Sequence, residues 1–104
     1  MHTVGMKRVV IIGDCDLEYR LLKDIKALGA TGYTLYGVRG EGDRGVRPRH
    51  EVSANIKIEV IASPKVARKI LEHVAKHFDE YAMIGFIDDV EVLYGEKFGA
   101  EPGK

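Results

Sequence analysis

Three glycines and two arginines fall within one eight-residue run, Gly40 to Arg47 (GEGDRGVR), and the chemistry they suit is holding an anion. Gly40, Gly42 and Gly45 open backbone conformations closed to other residues and let main-chain N–H groups approach a ligand. Arg44 and Arg47 add planar, forked donors matched to phosphate or carboxylate. Glu41 and Asp43, set among them, suit ion-pair partners that restrain the run, or metal ligands once a nucleotide brings a cation. Carried on through Arg49 and His50 to Ser53, the stretch is longer than an ordinary strand connection, and such loops are usually functional or disordered. A solvated hairpin loop is the plain alternative, because glycine-rich patterns are weak motifs taken singly.

Other reactive side chains have simpler explanations. His73 and His77 stand one helical turn apart, a spacing that can present two imidazoles to one metal. They share a polar face with Arg68, Lys69, Glu72 and Lys76, no third ligand is apparent, and two solvated histidines are the plainer reading. Asp14, Cys15 and Asp16 could be drawn as a cation or thiol site, but carboxylates at a helix start are explained by capping and the helix dipole. Asp88 and Asp89 are adjacent, so in a strand they point to opposite faces and cannot share a proton; a hairpin turn or bulge is expected there. Neither a Ser-His-Asp set, a Cys-His pair around Cys15, nor a Walker-type sequence occurs. Tyr33, Tyr36, Tyr81 and Tyr94 could stack on a base, with packing the default for each. An anion loop without an evident nucleophile or base predicts a protein that is not an enzyme, with weak nucleotide hydrolysis left open and no cofactor.

Bulk properties confine the anion site to a local patch. Sixteen Lys and Arg balance sixteen Asp and Glu in 104 residues, so no global field draws nucleic acid or a membrane. The length is that of one domain. The single cysteine, Cys15, excludes an intrachain disulfide and fits a reducing cytoplasm. Met1 to Met6 lacks the basic and apolar regions of a signal peptide, and no apolar run is long enough to span a bilayer. A cytoplasmic protein is expected, with residues 1–6 a flexible tail, 7–98 the folded domain and 99–104 a C-terminal tail.

The elements that must carry the loop can be read from periodicity. Val9 to Ile12 is a continuous apolar run ending at Gly13, as in a buried strand. Leu17, Leu21, Leu22, Ile25 and Leu28 recur at helical spacing, with Asp14 or Asp16 to cap the start and Gly29 to stop the helix. Tyr33 to Arg39 reads as strand two. Ala54 to Ala62 alternates Ile56, Ile58 and Val60 with Asn55, Lys57 and Glu59, the period of a strand. Ser63 and Pro64 start a second helix whose apolar stripe runs from Val66 to Phe78. Met83 to Ile87 and Val90 to Tyr94 are strand-like. The order is β-α-β-β-α-β, an α+β ferredoxin-like fold with a long loop after strand two. Strand one is apolar at every position, and strand four offers Ile84 and Phe86 on one face and Ile87 on the other. A sheet with one wet face should alternate cleanly, so the face away from the helices is expected to meet another copy of the chain.

Five pieces in order resemble the PII signalling family: GYT at 32–34, GEGDRGVR at 40–47, ANIKIE at 54–59, FDEYA at 78–82 and EVLYG at 91–95. Together they are most similar to the SbtB and carboxysome-associated branch of PII-like proteins, over about Lys7 to Phe98. The resemblance implies a homotrimer of ferredoxin-like subunits with an adenine-nucleotide site between subunits, and it makes the long loop the family's T-loop. By position, Thr34, Gly40, Gly42, Arg44 and Arg47 fall where the family contacts ribose or phosphate. Ala82, Met83 and Ile84 fall on the segment that closes over adenine, and Glu59 with Ile61 lies at the pocket wall.

Departures from the standard pattern narrow the ligand. The loop carries no tyrosine for uridylylation, and the lysine-rich polyphosphate motif is not seen after Tyr81. This disfavours sensing of 2-oxoglutarate with ATP and favours AMP, ADP or cyclic AMP. Gly99 to Lys104 has no cysteines, so the redox loop of some SbtB-type proteins is not expected. The branch implies a role in inorganic-carbon uptake or carboxysome function, with bicarbonate a candidate co-ligand and a bicarbonate transporter or carboxysome-related protein as partner, the protein then sitting peripherally at a membrane transporter. Two rivals stand beside this reading. A ferredoxin-like phosphatase of acylphosphatase type also cradles phosphate with glycine and arginine, but its loop follows the first strand. An RNA-binding module is opposed by zero net charge and no paired aromatics on a central strand.

Overall fold

A strand that is apolar at four consecutive positions must be covered on both faces, and Val9 to Ile12 forms the interior of β1, Val4–Asp14, at the centre of a four-stranded sheet. The structure, a computed structural model, describes residues 1–40 and 55–100. A short 3-10 turn, Cys15–Leu17, leads from β1 into helix α1, Glu18–Ala27. Strands β2, Thr34–Val38, and β3, Asn55–Ala62, follow, then helix α2, Pro64–His77, and strand β4, Ile84–Val92. The sheet order is β2-β3-β1-β4 with all neighbours antiparallel, the ferredoxin-like α+β arrangement the sequence predicts.

The turn ahead of α1 and the start of α2 follow from their side chains. Asp14 accepts a hydrogen bond from the Asp16 backbone N–H at 2.8 Å and so caps the 3-10 turn; α1 itself continues out of that turn from Leu17 without the side-chain cap that Asp14 or Asp16 was expected to give it. Ser63 Oγ accepts from the Val66 N–H at 3.2 Å, and Pro64 occupies the first helical position. Gly29 closes α1 with φ +116°, a conformation open to glycine. One face of the sheet, with Val9, Ile11, Ile58 and Val60, packs on Leu21, Ile25, Ala67 and Ile70 of the helices to form the core.

Strand four differs from its sequence reading. Asp88 and Asp89 make no turn or bulge; β4 runs unbroken through them. The reason lies in the neighbouring strand: Arg8 stands opposite Asp88 and Lys7 opposite Asp89, so each carboxylate has a cation on its own face. Local turn propensity yields to those cross-strand pairs. The chain also enters the sheet earlier than expected, with Val4 paired to Val92 inside the stretch assigned to a tail. At the far end Tyr94 adopts a left-handed φ of 55°, and Gly95 begins a 3-10 turn to Phe98. A Cβ on Gly95 would lie 2.9 Å from Val4 Cβ, so only glycine lets this turn settle on the start of β1.

Among the described residues, no helix lies over the second face of the sheet. Alternation and register place Val10, Ile12, Ile84, Phe86 and Val90 there, around Arg8, Glu59 and Asp88. Ile84 is 56% exposed and Phe86 40%, while Val10 between them is fully covered. This is the apolar second face that the sequence pattern demands.

Candidate functional site

Where β1 and β2 end and β3 and β4 begin, the sheet and the C-terminal half of α2 enclose a cleft of about 920 Å³. Its apolar lining includes Ile12, Leu71, Val74, Phe78 and Met83. Met83 can lie against the β1 backbone because Gly13 has no side chain: a Cβ there would stand 3.2 Å from Met83 Cε. The charged lining residues among those described are Arg39, Lys57 and Asp79. An apolar slot with backbone from the β4 start at one part and two cations at another suits a flat heterocycle joined to an anion.

Four residues singled out from the sequence line this cleft together: Gly40, Ala82, Met83 and Ile84. Thr34, Glu59 and Ile61 do not. Thr34 pairs with Glu59 across β2 and β3, Ile61 stands opposite Arg8, and all three lie on the uncovered sheet face. Gly42, Arg44 and Arg47 fall outside the described residues.

Glu59 is the acceptor of a polar cluster on that face. The Tyr36 hydroxyl donates to its Oε2 at 2.8 Å, Lys57 Nζ lies 3.7 Å away and Arg8 Nη1 3.8 Å away. Arg8 also grips Asp88 with two bonds, Nε to Oδ1 at 3.0 Å and Nη2 to Oδ2 at 2.8 Å. That bidentate contact holds the Asp88 carboxyl below the usual carboxylate range and raises the Arg8 guanidinium above its ordinary value. Lys57 thereby belongs to two places, reaching toward Glu59 while lining the cleft.

Sequence reasoning missed Lys57 and Arg39. Lys57 reads there only as a polar position in an alternating strand, and its place at the start of β3, level with the start of β4, is a property of the sheet. Arg39 directly precedes the glycine run, and that adjacency was an available signal.

Comparison with known proteins matches the architecture throughout. The family model "Nitrogen regulatory protein P-II" matches residues 6–97. A PII-like signaling protein from Thermus thermophilus has a TM-score of 0.80 at 39% identity, covering 94% of this chain and 99% of that one. CPII from Thiomonas intermedia, a nitrogen regulatory PII-like protein solved with ADP, AMP and bicarbonate, has a TM-score of 0.77 at 22% identity, over 88% and 97% of the two chains. GlnK of B. subtilis in complex with ATP reaches 0.55 at 21% identity, over 88% and 85%. At nearly equal identity, the backbone follows CPII more closely than GlnK.

Proposed function

Because this chain belongs to the nitrogen regulatory protein P-II family, we propose that it is a non-catalytic regulatory homotrimer that binds adenine nucleotides between its copies and signals through residues 40–53. The observation that carries this reading is the division of the expected nucleotide residues. Gly40, Ala82, Met83 and Ile84 line the cleft, whereas Thr34, Glu59 and Ile61 sit on the open sheet face beside exposed Ile84 and Phe86. A second copy docked on that face would cover the apolar patch and bring one chain's sheet residues to another chain's cleft.

The ligands proposed are ADP and AMP, with cyclic AMP and ATP as further candidates and bicarbonate as co-ligand. CPII, a relative in fold, was solved with ADP, AMP and bicarbonate. Arg44 and Arg47 supply the phosphate contacts beside Arg39 and Lys57, and the base lies against Met83 and the backbone of Ala82 to Ile84. Occupancy changes the order of residues 40–53 only by the difference in ligand affinity between their conformations. A bicarbonate transporter or a carboxysome-related protein would read that change from the cytoplasm. Among the described residues no helix is long and apolar enough to cross a membrane. The acylphosphatase alternative has no support, since the P-II match spans residues 6–97. Calorimetry with AMP, ADP, ATP and cyclic AMP, each repeated with bicarbonate, is the test. Binding of one or more nucleotides, stoichiometric with the chain, is expected; no heat from any of them at millimolar concentration overturns the reading.

A further inference from the structure

On the helix side of the molecule, the fold joins residues that the sequence separates by 49 positions. Asp24 of α1 meets His73 of α2, Oδ2 to Nε2 at 2.8 Å. His77, one turn on, stacks against His73 with ring centroids 4.5 Å apart and planes tilted by 41°. Two histidines four apart on one helix face are the spacing by which helices present imidazoles to zinc. The third donor, invisible in the sequence, comes from the adjacent helix.

The surroundings withdraw the His73–Asp24 pair from much of the solvent, although the Arg20 guanidinium nearby is a cation against which the Asp24 carboxylate must hold the ion. His73 and Asp24 keep only 24% and 27% of their side-chain surface exposed. The Phe78 ring lies 6.2 Å from that of His73, and Arg20 spans the same ring at 4.4 Å. His77 is exposed, and its ring, packed on that of His73, must turn before its nitrogen comes within 4.8 Å of both other donors.

We propose that Asp24, His73 and His77 form a binding site for a divalent transition-metal cation of the zinc class. Zinc stands about 2.0–2.2 Å from nitrogen and oxygen ligands, which places two donors at the tetrahedral angle roughly 3.4 Å apart. The His73–Asp24 distance therefore opens by about half an ångström from 2.8 Å as the metal replaces the shared proton. Rotation of the His77 ring completes the set of three, and water fills the fourth position. The carboxylate offsets one of the two cationic charges. The ion ties α1 to α2, so it stabilises the folded chain by an amount that grows with the logarithm of free metal concentration above its Kd.

Cobalt(II) titration of the full chain, followed by displacement with zinc, tests this. One equivalent should give the visible absorption of a four-coordinate cobalt site, and zinc should raise the thermal midpoint. His77→Ala, at an exposed position, and Asp24→Asn should each weaken binding by about 10-fold or more, the loss that follows even from removing a supporting partner. His2→Ala, His50→Ala and Cys15→Ser should leave it unchanged; Cys15, whose thiol lies with the carboxylates of Asp14 and Asp16 within 4.8 Å of one another, belongs to the chief competing donor set. Absence of stoichiometric cobalt binding, binding indifferent to His77→Ala, or binding lost with His2→Ala or Cys15→Ser overturns the proposal.

Discussion

Phe86→Ala tests whether the uncovered sheet face is an assembly surface, and its size can be worked from exposure. A phenylalanine side chain buries about 200 Å² when fully covered, and Phe86 retains 40% exposure in the isolated chain. About 80 Å² is thus available to a neighbouring copy, worth about 2 kcal/mol at about 25 cal/mol per Å². Three copies lose about 6 kcal/mol in a trimer, which is roughly four decades in the constant for dissociation into three monomers. The midpoint concentration varies as the square root of that constant, so it should rise by about 100-fold. Sedimentation equilibrium or light scattering across a dilution series reads the midpoint directly. A wild-type chain monomeric at micromolar concentration, or a midpoint unmoved by the substitution, would refute the reasoning.

Lys57→Ala should weaken ADP binding by about 1.5–3 kcal/mol, the value of a charge-assisted bond, and calorimetry would show at least a tenfold rise in Kd. Arg44→Ala and Arg47→Ala should each cost a similar amount without loss of secondary structure by circular dichroism. Asp88 titrates below the ordinary aspartate value of 3.8 in the folded chain. Its pairing with Arg8 therefore contributes fully above that value and is lost as pH falls through the lower folded pKa; Asp88→Asn should remove this part of the acid slope in denaturant midpoints taken from about pH 2 to pH 6. Gly95→Ala forces a methyl against Val4 and should destabilise by about 1–3 kcal/mol, lowering the calorimetric Tm by at least about 4 °C.

The features legible in the sequence are those that neighbouring residues decide. Ser63 and Pro64 announce α2 because capping is local, and the alternation of Ile56, Ile58 and Val60 announces β3 because one face of a strand is buried. The continuity of β4 is not local: Asp88 and Asp89 read as a turn until Arg8 and Lys7, far earlier in the chain, are set opposite them. The same holds at the site. Ala82 to Ile84 and Gly40, which line the cleft, could be named from the motif order, but Lys57 joins that lining only when the start of β3 is placed beside the start of β4. Asp24 likewise becomes a partner of His73 only through the packing of α1 on α2.

Among the described residues, strands β2 and β4 are the two edges of the sheet, and β4 is the longer, with apolar Ile84 and Phe86 in its first half. Such an edge invites another chain to add a strand, the first step toward aggregation. Its second half carries Asp88, Asp89 and Glu91, each held to its own sheet by Arg8, Lys7 and Thr3. A second β4 laid in parallel register would set like charges side by side and be repelled. A newly made protomer can therefore wait for its proper neighbours with its adhesive face exposed, because the edge beside that face carries its own guard against fibrils.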